Sequence, residues 1–298
     1  MKQYTDWFKS DVTQNGQTTQ EYLKRSEDLN KTFKSFTWSA GINYNPGKVS
    51  FKANAGTSFR MPIAKELASN GVNYHYFRFE KGNPNLDAER SYQLDLGMEW
   101  KTQNWTFQFT PFANYFPNFI YLNPTSAHDI YYGAGNQVFE YEQSKVFRYG
   151  AEFQTRYYFL KSLSAEIGAE YLYSEQKSGS KKGYTLPFSP PPSVLLGLNY
   201  EPQISFLKEP YFSVDYRFTA QQNNIVPPEK KTAESHVFNV AFGSKVKTGK
   251  QDISINIQIQ NLFNTRYLNH TSFYRLIELP EAGRNIIVSM KIPFSFSR

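Results

Sequence analysis

The chain has 298 residues, no cysteine, and 33 Lys and Arg against 26 Asp and Glu, a formal charge of +7. Disulfides cannot staple it, and 22 Tyr, 26 Phe and 4 Trp are more aromatic bulk than a disordered chain carries. No apolar run of roughly 18 or more residues occurs, which excludes a transmembrane helix but not a transmembrane β-barrel, where only alternate residues face lipid.

Residues 1–30 are polar, rich in Gln, Thr, Lys and Glu, and read as an incoming long loop on the outer side. The opening MKQYTDWFKSDVTQNG lacks the apolar core of a secretory signal, so the expectation is a protein that stays inside the cell or a part of something longer. From Phe36 the pattern has period two: Phe36, Trp38, Ala40, Ile42 and Tyr44 alternate with Thr37, Ser39, Gly41 and Asn43. The turn Asn45-Pro46-Gly47 follows, then Val49, Phe51, Ala53 and Ala55 alternate with Ser50, Lys52, Asn54 and Gly56. The same alternation marks strands at 91–100, 105–115, 137–159 (with a possible split near Ser144), 163–173, 194–200, 212–220, 238–246, 253–259 and 286–294, eleven in all. Pro111 falls inside one of them and removes a ladder donor, so a bulge or strand edge is expected there.

The apolar faces carry almost no charge, aromatics recur near strand ends, and connections alternate between short (45–48, 102–104, 160–162, 247–250) and long (60–89, 117–136, 176–192, 221–234, 262–282). That combination is the signature of an all-β, transmembrane antiparallel β-barrel in an outer membrane. A soluble β-sandwich shares the alternation, but strands of 9 to 12 residues exceed the usual globular length of about 5 to 6. An odd number of antiparallel strands leaves the first and last pointing the same way, so eleven strands look like half of a closed structure. A miscount by one would instead permit a twelve-stranded barrel, a passive porin-like channel made by this chain alone.

Two separated motifs then carry a resemblance. GTSFRMPIAKEL at 56–67 followed by GNPNLDAERSYQLDLGMEW at 82–100, and QNLFNTRYLNH through AGRNIIVSMKIPF at 260–294, resemble the barrel of TonB-dependent outer-membrane receptors, with its SFR-x-P, GNPxLxxExS and NLF-x-x-x-Y segments. The resemblance implies that residues 31–298 are the second half of a 22-stranded barrel. It also implies active uptake of a scarce nutrient, with an iron chelate or haem foremost and cobalamin, another metal or an oligosaccharide as alternatives. The implied partners are the missing N-terminal half-barrel with its plug, and the TonB complex acting through that plug. The chain ends FSFSR, where the family usually presents a terminal aromatic; Phe294 or Phe296 is the expected stand-in.

No Cys nucleophile, G-x-S-x-G elbow, phosphate-cradling loop or H-E-x-x-H motif is present, so neither an enzyme nor a resident cofactor is expected. Any metal would arrive with the substrate. His75, His128 and His270 fall in long loops and His236 where a strand leaves one, all on the outer side. Imidazole ligates Zn, Cu, Ni and Fe and serves haem. Tyr74, His75, Tyr76, Phe77 and Arg78 put aromatic, imidazole and cationic groups in one loop, a combination suited to a bulky metal chelate. The candidate substrate contacts are therefore Tyr74, His75, Tyr76, Arg78, His128 and His270. The basic stretches at 177–183 and 227–231 lie in turn-like segments rather than on a periodic face, which points to lipopolysaccharide phosphates rather than nucleic acid.

Overall fold

The computed structural model describes residues 2–3, 7–14, 17–24, 28–130, 135–248 and 251–293. Near the start, β1 (Lys2–Gln3) pairs with β4 (Leu29–Asn30), and β2 (Trp7–Gln14) forms a hairpin with β3 (Gln17–Lys24). The segment expected as a plain incoming loop thus has strands of its own.

The main sheet follows chain order through β5 (Ser39–Tyr44), β6 (Val49–Arg60), then past helix α1 (Ala64–Ala68) and the small strands β7 (Asn70–Asn73) and β8 (Arg78–Lys81). It continues with β9 (Glu89–Lys101), β10 (Trp105–His128), β11 (Gln137–Leu160), β12 (Leu163–Gln176), β13 (Ser193–Tyr200) and β14 (Lys208–Thr219). The last strands are β15 (Ser235–Thr248), β16 (Gln251–Gln260) and β17 (Asn285–Lys291). Among the described residues eleven strands lie side by side from β5 to β17, every neighbour antiparallel, with β7 and β8 attached off this path.

Register converts the period-two pattern into two faces. Tyr200, Phe212, Phe242, Ile257 and Val288 stand opposite one another across five strands, while Asn199, Ser213, Ala241 and Gln258 form the next rung on the other face. Leu198 is 47% and Val288 67% exposed, so among the described residues no second sheet covers the apolar face, which disfavours the sandwich reading. The buried apolar clusters, Leu67, Leu86, Ile120 and Tyr141 in one and Phe116, Tyr121, Val146 and Leu186 in the other, lie instead at one end of the sheet, under the long connections. Aromatic rings bound the apolar band: Trp100, Trp105 and Tyr157 toward the short turns, Tyr149 with Tyr173 and Tyr216 with Phe238 toward the long loops. From Tyr149 to Tyr157 the strand has the roughly 9 residues a tilted strand needs to cross a bilayer.

Three expectations are corrected. The first strand begins at Ser39 rather than near Phe36, because β5 has a single neighbour and its pairing with β6 stops there. Residues 117–128 belong to β10 rather than to a loop: a register shift between Phe116 and Phe119 absorbs Pro117, and β10 and β11 run on together as a ribbon of 24 residues each, with no split at Ser144. Pro111 sits at neither a bulge nor an edge. It stays in register with Ala151 on β11, and the lost donor shows only as a gap in the β9 ladder between Phe109 and Phe112. Phe294 and Phe296 lie outside the described residues.

Candidate functional site

The long-loop end is built on the first motif. Arg60, the last residue of β6, places its guanidinium between Glu66 of α1 (2.8 Å) and Glu89 of β9 (3.1 Å). Glu66 also accepts the Ile63 N–H at 2.9 Å and so caps the short helix, while Glu89 accepts the Ile120 N–H at 2.8 Å. Gly82 donates to Ser69 O, and a Cβ there would meet Leu67 and Ser69 backbone atoms at 2.7 and 2.6 Å, so only glycine lets the chain pass so close to the helix. Asn83 closes the turn by accepting the Asn85 N–H at 2.9 Å, which drops Leu86 into the buried cluster.

On that base stands the β7–β8 hairpin. β8 pairs in parallel with β11 at Val138, Phe139 and Glu140, and the tip, residues 74–77, turns through a left-handed Phe77 (φ 51°). Tyr74 and His75 are exposed and Tyr76 is half-buried, with the His75 and Tyr76 rings 4.6 Å apart, edge to face. Arg78 is buried. Its guanidinium lies 4.1 Å from the Phe273 ring, 4.9 Å from Tyr76 and 5.2 Å from Phe139, and it pairs with Glu80 at 2.7 Å. Burial pushes the Glu80 carboxyl up, but hydrogen bonds and charge from Lys65 (2.6 Å) and Arg78 more than reverse this and hold it below the usual range. Burial, assisted by Glu80, pushes the nearby Tyr141 phenol up to about 12.

Three further loops meet this hairpin. Phe273, in a short 3-10 turn (Phe273–Ile277), touches Tyr76 at 4.9 Å and Phe188 at 4.5 Å. Arg275, two residues on, lies 5.3 Å from the Phe188 ring and pairs with Glu229 at 2.9 Å. His270 is 2% exposed, its Nδ1 is 2.8 Å from Thr232 Oγ1, and burial with the adjacent Arg275 lowers its pKa to about 4. Asn261, in a left-handed conformation, ties both ends of this loop by donating to Thr265 O and Ala282 O, which accounts for the second motif. Beneath the loops the polar wall holds a cavity of about 330 Å³ lined by Glu170, Ser193, Arg217, Tyr267 and His270.

Of the six candidate residues, Tyr74, His75, Tyr76 and Arg78 share one hairpin, with Arg78 facing inward. His128 is exposed at the end of β10 opposite Gln137, and His270 is buried below the surface. His236 is exposed beside Tyr216, whose Oη is 2.7 Å from its Nδ1. Among the described residues no three His, Asp or Glu side chains converge to hold a metal ion. Sequence reading missed Phe188, Glu229, Phe273 and Arg275. One signal was present: Tyr76 and Arg78, and again Phe273 and Arg275, repeat an aromatic followed two residues later by arginine. In the basic loops Lys177 pairs with Glu175, Lys181 donates to Pro227 O and Lys230 pairs with Glu278, while Lys182 and Lys231 are exposed.

The family described as TonB dependent receptor-like, beta-barrel matches residues 3–262. Among similar solved structures are the copper transporter OprC (18% identity, TM-score 0.66, covering 84% of this chain and 38% of that one) and the FrpB iron transporter from Neisseria meningitidis (17%, 0.60, 96% and 41%). The siderophore receptor PirA from Acinetobacter baumannii is another (16%, 0.62, 91% and 42%). At these identities the likeness establishes the fold, and the chain spans about two fifths of the length of the structures it matches.

Proposed function

This chain belongs to the TonB-dependent receptor β-barrel family, and on that footing we propose that residues 31–298 are the C-terminal half-barrel of an outer-membrane receptor for active uptake of an iron chelate or haem, with 1–30 as its incoming outer segment. The observation that carries the reading is the tip held above the end of a membrane-crossing sheet, with Tyr74 and His75 exposed and Tyr76 half-buried beside them. Aromatic faces and an imidazole on a rigid support suit a flat or bulky metal chelate. His128 adds a second exposed imidazole, while Arg78 and His270 support the loops from below rather than meet the ligand. Similar structures described as a copper transporter, an iron transporter and a siderophore receptor support a metal or metal chelate as the substrate class.

The complete receptor takes its other half-barrel and plug from sequence outside this chain, and energy from the TonB complex through that plug. Lys182 and Lys231 meet lipopolysaccharide phosphates by charge attraction. A passive pore made by this chain alone is disfavoured because β5 and β17 run in the same direction and cannot close on one another as antiparallel neighbours.

The test is a titration of the complete receptor with hemin, ferric citrate, cobalamin and a neutral oligosaccharide, followed by Tyr and Trp fluorescence. The His75→Ala/Tyr76→Ala variant is expected to weaken hemin or ferric chelate binding about tenfold or more at unchanged folded yield, and His128→Ala less. Unchanged affinity removes the tip from the site, and binding of the oligosaccharide alone removes the substrate class.

A further inference from the structure

A two-stranded hairpin of four residues a side is marginal on its own. The β7–β8 hairpin is held from below by β11 and by Glu80, which pairs with Lys65 and Arg78 and accepts from Asn73 Nδ2 at 2.9 Å, and its turn is closed by the Tyr76 N–H donating to Asn73 O at 3.2 Å; these bonds fix the backbone of the hairpin and not the rings at its tip. The tip also carries strain, because a left-handed phenylalanine persists only where its surroundings hold it. Among the described residues, the ring contact that the tip makes beyond its own hairpin is Tyr76 against Phe273, reinforced by Arg78, whose guanidinium lies over both rings. Phe273 is in turn backed by Phe188, and the Phe188 side by Arg275, whose pairing partner Glu229 is 1% exposed in its side chain. Phe273 therefore stands between the tip and a buried ion pair belonging to two other loops.

We infer that Phe273 is a positioning residue for the Tyr74–His75–Tyr76 tip, so that the loop between β16 and β17 sets how tightly the tip holds its ligand. Without the Phe273 ring, Tyr76 loses its neighbour on that side, and His75, stacked edge-on against Tyr76, moves with it. A ligand would then have to order both side chains on binding, at a cost of about tenfold in affinity for one or two immobilised groups. By reciprocity a ligand at the tip should also protect the backbone of residues 272–277. The affinity statement rests on the reading of the tip as ligand contact; the positional statement does not.

Amide hydrogen exchange on the complete receptor in detergent tests the positional part. Phe273→Leu is expected to raise exchange at residues 74–78 about tenfold or more while residues 138–141 of β11 and the folded yield stay unchanged. Phe273→Tyr should restore the wild-type rate, and Tyr274→Ala, a change at the exposed neighbour, should leave it alone. No change at 74–78, or an equal rise along β11, would overturn the inference, the second because Phe273 would then merely stabilise the fold. Hemin and ferric citrate affinities test the rest. Phe273→Leu should lose about tenfold, Phe273→Tyr should regain it, and combining Phe273→Leu with Tyr76→Ala should lose no more than Tyr76→Ala alone. Full affinity in Phe273→Leu where Tyr76→Ala loses it would sink the claim that Phe273 sets ligand affinity, and full affinity in both variants would sink the reading of the tip as ligand contact. Failure of wild type to bind either probe would sink the substrate reading; in each case exchange alone decides the position.

Discussion

Arg275 Nη2 lies 2.9 Å from Glu229 Oε1, with the two side chains 4% and 1% exposed, so a buried ion pair joins the loop after β14 to the loop after β16. Glu229 also accepts the Phe188 N–H at 3.0 Å, and Arg275 donates to His270 O and Lys230 O at 3.1 Å each, so three loops depend on these two residues. Removing one partner of such a pair leaves an uncompensated buried charge, at about 3–5 kcal/mol. Arg275→Met should therefore expose residues 220–234 and 261–284 to protease in an otherwise intact barrel. Adding Glu229→Gln should recover part of the protection. Equal protease resistance in wild type and Arg275→Met would refute the assignment.

Acid should loosen the same loops in a defined window. The His270 pKa falls from 6.5 to about 4 in the folded chain, so its neutral form is the one that fits. Its contribution is present above pH 6.5, fades as pH falls, and is gone below about 4, a loss of ~3 kcal/mol for about 2.5 units. Glu80, held below its ordinary range, acts in the same sense at lower pH. Burial raises Glu229 despite Arg275, so its contribution changes with pH in the opposite sense. Exchange of residues 268–276 should accelerate between pH 6.5 and 4 in wild type, after correction for intrinsic rates. In His270→Gln that step should disappear.

The two faces of β16 should respond differently to charge. Ile257 pairs with Phe242 and Val288 on the apolar face, and Gln258 with Ala241 and Ile287 on the polar one. Ile257→Arg at the midplane should cost about 2–4 kcal/mol, and Gln258→Arg much less. Denaturant unfolding of the complete receptor from lipid vesicles measures both, and equal costs would reverse or abolish the face assignment.

Residues 1–298 expressed alone should not yield a closed barrel, since β5 and β17 would each leave an unpaired backbone edge in lipid. The expected product is aggregated or unstable in detergent and shows no heat-modifiable band. A compact, protease-resistant monomer conducting as a single pore would mean that the edges close in some other way and would restore the porin reading.

Membership of the sheet was written in the chain itself. Alternation such as Ile253, Ile255 and Ile257 against Asp252, Ser254 and Asn256 fixes which side chains share a face, because the period of a strand is a local property of two residues. The order of the eleven strands was equally legible, since each pairs with the next long strand along the chain, whereas the motifs around Arg60 and Asn261 were legible only as a family resemblance, their contacts to Glu89 and Ala282 spanning 29 and 21 residues. What only the tertiary structure decided was which polar residues stay at the surface. Tyr74, His75 and Arg78 read alike as loop residues, yet two are exposed and Arg78 is buried, because its surroundings come from Phe139 and Phe273 on distant segments. His270, expected in an outer loop, is buried through contacts with Thr232 and Arg275, which no local pattern records. Residues 117–128 became strand because the facing β11 continued far enough to pair with them. Loop conformation is set by contacts between segments remote along the chain, and no local period records those contacts.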